Sequence, residues 1–415
     1  MEFPKIRSIE AFPAEISGRR MICLRDPLLY SEQTVLVPEP TFFVISLFDG
    51  NHSFLDIQAE YMRRYGDLLF QETIGEIVHQ LDNHLLLDNE RFVQHKREVE
   101  REFGSSSIRK ATLAGKSYES DPVQLSEQLS SYFLSPEGPG RMPEAVAERR
   151  PASRPLRGAI IPHIDYSRGG ACYAFAYKEI AESSNADTFV ILGTLHVEAQ
   201  SRFILTRKGF STPLGNLEAD QDLVAFIAGK CPYDPFAEEI AHRAEHSLEL
   251  QMVFLRYIFG DSRPVRVVPI LCSSFQDLID KGQSPLQDPH ISSLLNALKE
   301  AMVLRGDRIC VLASVDLAHM GPRFGDRYPL GEMDWRSIAC EDQELIRQIE
   351  RVDSEGFFGE IQREKNQRKI CGLSAIYALL ATLAAVPAGE GKLLKYGQWP
   401  DPQGTVTFAS MAFYV

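Results

Sequence analysis

From residue 158 onward the chain repeatedly sets a strand-length apolar run before a helical stretch, and this alternation constrains the fold more than anything else in the sequence. The runs are GAII (158–161), TFVILG (188–193), RFILT (202–206), VRVVPIL (265–271) and RICVLAS (308–314), with helical stretches such as Ala171–Glu182 and Ser247–Phe259 between them. Strands that are apolar throughout are buried on both faces, and interleaved helices supply the cover. The expected fold is α/β, with a central, mostly covered sheet and flanking helices. No internal repeat is visible, and 415 residues leave room for two or three domains.

The segment before this block has a different texture. The stretches TVLV (34–37) and FFVISLF (42–48) end at the turn signal Asp49-Gly50. Ser53 reads as an N-cap with Asp56 at the third helical position, ahead of Ile57, Tyr61 and Tyr65 at helical spacing. A second helix carries Ile74, Ile77, Val78, Leu81 and Leu85, and LLLD (85–88) is short enough to be a strand. Short strands around small helices point to a small α+β, winged-helix-like domain over residues 1–103. The order LFDGNHSFLDIQAEYMRRYG, helix, LLLD resembles the PqqD-like peptide-recognition modules. A second domain is expected over 107–415. It contains a loop at 134–156, where Pro136, Pro139, Pro143, Pro151 and Pro155 sit among Gly, Glu and Arg.

Charge and cysteine content narrow the partners. Lys plus Arg number 44 against 57 Asp plus Glu, a formal charge of −13, and residues 1–103 hold 11 basic against 18 acidic side chains. Affinity for nucleic acid comes largely from neutralising phosphates, so nucleic acid is not expected as a partner. The first domain instead reads as an acidic module that docks a protein or peptide. Seven Cys with no CxxC pair read as reduced thiols, and MEFPKIRSIEAF lacks the apolar core of a signal peptide, so the chain is expected in the cytoplasm. The uncharged run Ile370–Gly389 holds Ser374, Thr382 and Pro387 and reads as a buried helix; no membrane association is expected.

The histidines carry the functional signal. His163 follows GAII, His196 follows TFVILG and His319 follows RICVLAS, so three strands each deliver an imidazole just past a C-terminal end. Ligand crevices of open α/β sheets form at that edge. Asp165, two residues after His163, either orients that imidazole as a carboxylate partner or is a plain turn residue. Gly193 offers a sharp turn before His196. Asp316 and His319, three apart, share a face and form an acid/base pair if their segment is helical; otherwise Asp316 caps a following helix. In AEHSLEL, His246 and Glu249 are three apart at a helix start beside Glu245, charges that usually satisfy the helix dipole. Cys371 precedes the apolar helix and is either an inert small hydrophobe or a thiolate favoured by the helix N-terminus, and Gly372 admits a close backbone.

Taken together, PHIDY, ILGTLH, AEHSLEL, SVDLAHMG and KICGLSAI, in this order after RKATLAGKSY, resemble the Memo-like family, which includes the AmmeMemoRadiSam system protein B sequences. The resemblance covers about Ile108 to the C-terminus. It implies the fold of the class III extradiol ring-cleaving dioxygenases and a non-heme metal site built from His163, His196 and Cys371. It places His319 beside the metal as base or donor, with Asp316 and His246 lining the pocket. The sequence departs from the family pattern at Leu113 and Ser117 (His and Trp elsewhere), Asp165 (Gly), Val197 (a second His) and Gln251 (His). Two His with a carboxylate are the usual ring-cleaving ligands; a thiolate in its place is softer, so zinc and Cu(I) compete better and the sulfur is itself oxidisable. The expectation is a metal-dependent oxidoreductase acting on an unknown small molecule or peptide, with iron(II) as the first candidate metal, then copper or zinc. Two further readings stand beside it: a non-catalytic binding adaptor with a vestigial pocket, and a zinc hydrolase in which His319 activates water.

Overall fold

The computed structural model describes residues 2–16, 18–144, 154–385 and 389–414. The chain divides into two compact units, Met1–Ser106 and Ser107–Val415.

The first unit begins with β1 (Glu10–Ile16), β2 (Arg19–Arg25) and β3 (Val35–Pro38), an antiparallel meander. Four helices follow: α1 (Glu39–Ser46), α2 (Phe54–Tyr65), α3 (Gln71–Asn83) and α4 (Glu90–Ser105). A small core of Leu24, Val44, Ile45, Ile57, Ile74 and Leu86 joins sheet and helices. Ser53 caps α2 as its sequence implies. The Ser53 hydroxyl accepts the Asp56 N–H at 3.2 Å, and the Asp56 carboxylate accepts the Ser53 N–H at 2.9 Å. FFVISLF, by contrast, is no strand. Pro40 lies in the first turn of α1, where its missing N–H costs nothing, and the helix takes in Phe42 to Ser46. LLLD also forms no regular strand: Leu85 takes φ 57 just beyond α3, and Leu87 makes only an isolated bridge to Ile6.

The second unit runs β4 (Ile108–Arg109), α5 (Pro122–Leu134), β5 (Leu156–Ile161), α6 (Tyr166–Ser183), β6 (Thr188–Thr194), β7 (Phe203–Leu205), β8 (Gly209–Thr212), β9 (Gly215–Ala219), α7 (Gln221–Ala228), α8 (His246–Phe259) and β10 (Arg266–Cys272). It continues through α9 (Gln276–Lys281), α10 (Pro289–Arg305), β11 (Ile309–Ser314), β12 (His319–Met320), α11 (Glu332–Glu350), α12 (Ser354–Arg363), α13 (Leu373–Leu383), β13 (Gly391–Trp399) and β14 (Thr405–Tyr414). Of the proline-rich loop, residues 135–144 hold turns and bends, and residues 145–153 lie outside the described residues.

All five apolar runs are strands of one sheet, ordered β12-β14-β5-β11-β6-β10-β9-β8-β4, with β13 on β14 and β7 on β10. Its centre, β5-β11-β6-β10, is parallel. Side chains alternate across it as strand geometry requires. Val190 and Leu192 face a core shared with α10, α11, α12 and α13, while Phe189 and Ile191 face a core shared with α5, α6 and α8. The second unit is therefore an α/β fold with a large central sheet covered by helices on both faces. The run from Ile370 is accounted for by α13, whose residues are all buried against the sheet. Among the described residues no helix is long and apolar enough to cross a membrane.

Candidate metal centre

The parallel register places three loops at one edge of the sheet. Ser314, the last residue of β11, pairs with Ile161 of β5 on one side and Gly193 of β6 on the other. The chain leaves each strand at the same level, so His163, His196 and Asp316 all emerge there. Gly193 is not the turn that its position before His196 predicts. It sits inside β6, and a Cβ there would lie 2.8 Å from both the Ser247 Oγ and Leu248 Cδ2, so the glycine lets the first turn of α8 approach the strand. That approach brings in His246.

The ligand atoms of His163, His196 and His246 lie within 4.8 Å of one another. Ring centroids are 5.0 Å apart for His163–His196, 5.3 Å for His163–His246 and 4.4 Å for His196–His246. Each ring has its Nδ1 engaged. Nδ1 of His163 is 3.0 Å from the Ser314 carbonyl. Glu245 serves the other two, its Oε1 lying 3.0 Å from Nδ1 of His196 and 3.2 Å from Nδ1 of His246. Imidazoles held in this way present Nε2 to an ion with tautomer and orientation fixed, the usual arrangement behind metal-binding histidines. His163 is buried, His246 half-buried and His196 exposed, so the group is open to solvent on one side.

Cys371 lies beside His163 at this group. Its Sγ is 3.4 Å from Nε2 of His163 and donates to the Asp316 carbonyl at 3.5 Å. Gly372 permits the approach: a Cβ there would meet the Val315 Cβ at 2.6 Å and the Asp316 oxygen at 2.8 Å. The donor set is thus three nitrogens with a thiol beside them, which fits iron, copper or zinc and not the oxygen-seeking magnesium or calcium.

Burial sets the charges. It pushes the Cys371 thiol up and holds His163 well below its ordinary value, hence neutral. Burial also disfavours charge on Glu245 and His196, yet their mutual attraction outweighs it: the Glu245 carboxylate, with Cys371, raises His196 well above its ordinary value, and His196 and His246 hold Glu245 well below its own. Asp316 is pushed up to about 7 by burial, against the N–H groups of His163 (3.1 Å) and Ile164 (3.3 Å) that its Oδ1 accepts.

Other expected partners lie elsewhere. Asp165 is 3.7 Å from Arg168 and does not orient His163. Residues 315–318 are not helical, so Asp316 and His319 share no helical face and Asp316 caps no helix. The loop is fixed by β12, whose His319 pairs with Val406 of β14. Asp316 instead lies 3.6 Å from Nε2 of His163. The His319 ring bonds the Leu317 carbonyl at 3.2 Å and packs edge-on against Phe324, and burial lowers it to about 4. Glu249 forms a buried ion pair with Arg109 and accepts the N–H of Leu113 at 2.8 Å and the hydroxyl of Tyr118 at 2.6 Å. Gln251 ties the Pro162 carbonyl (2.8 Å) to the Ser314 hydroxyl (2.6 Å), pinning two of the three loops. The sequence reading missed Glu245 as a shared acceptor. Its signal was a carboxylate directly before a histidine at a helix start, with a third imidazole expected at the same sheet edge.

A parallel-centred α/β sheet that gathers three oriented imidazoles and a thiol at the C-terminal ends of its strands defines a class of protein with a candidate metal centre on a doubly covered sheet. Residues 109–411 match the family model described as Memo-like protein, and the chain belongs to that family. A MEMO1 family protein of Aquifex aeolicus is 28% identical over 99% of this chain and 100% of its own length, both units included. One from Ignicoccus hospitalis is 33% identical over 74% of this chain and 98% of its own. Among solved structures, the uncharacterized protein JW3007 from Escherichia coli K12 aligns at 12% identity over 62% of this chain and 99% of its own, with a TM-score of 0.33, too loose a likeness to bear on the argument.

Proposed function

We propose that this Memo-like protein holds one metal ion through His163, His196 and His246, with Cys371 as an adjacent sulfur ligand, and works as a metal-dependent oxidoreductase on a small substrate. Iron(II) is the first candidate, with copper next; the thiol makes zinc a competitor. The observation that carries the reading is the partner at each Nδ1, a hydrogen bond from His163 to Ser314 and from His196 to Glu245 and a 3.2 Å ion-pair contact of His246 with Glu245, which prepares the rings for a common ion. A redox metal in this setting supplies one-electron chemistry and open coordination positions. The chain's own residues fix the rings, leave the His196 side accessible, and keep an oxidisable sulfur beside them. His319, neutral near pH 7, stands at the same edge as a proton acceptor. The test is metal analysis of protein purified without oxygen. About one ion per chain is expected, lost in His163→Ala, His196→Ala and His246→Ala and weakened in Cys371→Ala; a wild-type chain that takes up no metal overturns the reading.

A docking role for the acidic first unit is favoured by one observation. Leu55, Leu68 and Phe70 stand 65–67% exposed at the start of α2 and the approach to α3, three large apolar side chains that water disfavours. Leu68→Ser with Phe70→Ser should leave the melting temperature within a degree or two and reduce crosslinking to cellular proteins. Unchanged crosslinking products would remove this support.

A further inference from the structure

The N-terminus of α13 opens into a cavity of about 210 Å³ that also touches His196 and Cys371. Its lining combines apolar Leu195, Phe275 and Leu373 with polar Thr194, Asn366 and Ser374. Helix starts normally receive a side-chain cap, and this one has none, because Gly372 stands at the N-cap. Among the described residues, the N–H groups of Ser374 and Ala375 have no acceptor, and that of Leu373 reaches the Ile370 carbonyl only at 3.4 Å. These donors are not on the surface: Ala375 is fully buried and Ser374 is 2% exposed. Buried N–H groups are rarely left unpaired.

A second, independent group points the same way. The Ser374 side chain lines the cavity, and its hydroxyl has no hydrogen-bond partner among the described residues. That hydroxyl is reached from the cavity, so whatever occupies the cavity supplies its partner. The Ser374 N–H, its hydroxyl and the positive end of an eleven-residue helix together make a receptor for one small oxyanion. Lys369, also at the cavity, is already bonded to Asp326 at 2.6 Å and is not needed for this. The cavity is below the roughly 300–1,000 Å³ of sites for drug-sized ligands.

We propose that this cavity is a carboxylate subsite. The protein takes a small organic acid whose carboxylate is received by the hydroxyl and N–H of Ser374, and whose apolar body lies along Leu195 and Phe275. The inference rests on the metal-centre reading for what happens to the acid beside His196 and Cys371, whereas binding itself needs only the chain.

The experiment is calorimetric titration of the metal-free full-length protein with isovalerate, with its neutral isostere isovaleramide, and with inorganic phosphate. Isovalerate is expected to bind at least tenfold more tightly than either of the others. Ser374→Ala should weaken it about tenfold. Ser374→Asp, whose own carboxylate takes the same donors and suits a helix start, should abolish binding without lowering the melting temperature. Absence of isovalerate binding to the wild type, equal binding to Ser374→Asp, or equal binding of the amide or of phosphate would each overturn the subsite. Metal content is measured on the same samples. A chain that loads metal but ignores isovalerate refutes the subsite alone, and one that binds isovalerate but loads no metal refutes the metal centre alone.

Discussion

Glu245 grips His196 through both carboxylate oxygens, Oε2 accepting the backbone N–H at 3.0 Å and Oε1 lying 3.0 Å from the ring Nδ1. Because Oε1 also lies 3.2 Å from Nδ1 of His246, this one carboxylate aligns two of the three imidazoles. Removing such a partner usually weakens metal affinity by about 10–100-fold. Glu245→Ala should fall in that range in a competition titration against a chromophoric chelator, and Glu245→Gln should fall less. Wild-type affinity in Glu245→Ala would contradict the assignment.

Metal uptake should depend steeply on pH. Burial works against charge on His196, but Glu245 and Cys371 overcome it, so the metal-free ring is protonated at neutral pH. An ion must displace that proton, and apparent affinity should rise about tenfold per pH unit while the ring remains protonated. Titrations between pH 6 and 8 that give a flat affinity would remove the argument.

Asp316 should leave a mark on metal-free stability. Its value rises on folding from 3.8 to about 7, chiefly through burial, so the folded state binds the proton more tightly. The associated stability is complete below about pH 4 and is lost as pH climbs through 7. Asp316→Asn keeps an acceptor for the N–H groups of His163 and Ile164 and cannot ionise. It should match wild type at pH 4 and exceed it at pH 8 by up to about 4 kcal/mol in denaturant melts. A constant offset at all pH values would show that ionisation is not the cause.

Gly372→Ala tests the approach that seats Cys371. The new methyl would meet Val315 and the Asp316 oxygen inside van der Waals contact, and neither neighbour is a flexible chain end. A loss of about 1–3 kcal/mol is expected from overpacking, with a reduced metal content, because the thiol moves with its neighbour. Full stability with full metal content would mean that the loop yields freely.

Arg109 and Glu249 form a pair with both side chains at most 1% exposed. Arg109 also donates to the carbonyls of His242 and Glu245, each at 3.0 Å, and so supports the segment entering α8. Arg109→Met leaves a carboxylate buried without its cation, at a cost of about 3–5 kcal/mol. A thermal melt within a degree of wild type would show that Glu249 has found another partner.

The elements that build the sheet could be read from the sequence because strands covered on both faces are apolar without interruption, as in TFVILG and RICVLAS. Ser53 and Asp56 were legible for a different reason: a capping box lies wholly within four residues. The arrival of His163 and His196 at one edge followed from their position after strands, since β5, β11 and β6 are parallel and in register. What escaped depends on contacts distant in sequence. Whether Asp316 and His319 share a helical face is decided by the pairing of β12 with β14, nearly ninety residues on. Gly193 looked like a turn because its real neighbour, Ser247, belongs to another element. FFVISLF carries no period that separates strand from helix, as is common in short apolar runs, and Pro40 in the first turn of α1 marks the outcome.

His163 and Cys371 stand 208 positions apart in the chain and 3.4 Å apart in space. Their meeting requires β5 and β11 to be registered and α13 to be docked, and contacts of such long separation form slowly because the intervening loop must first be closed. The cluster consequently exists only once these distant closures are in place. A nascent or nicked chain in which any one of these long closures is missing has no assembled nest to offer, which ties capture of an ion to the finished molecule.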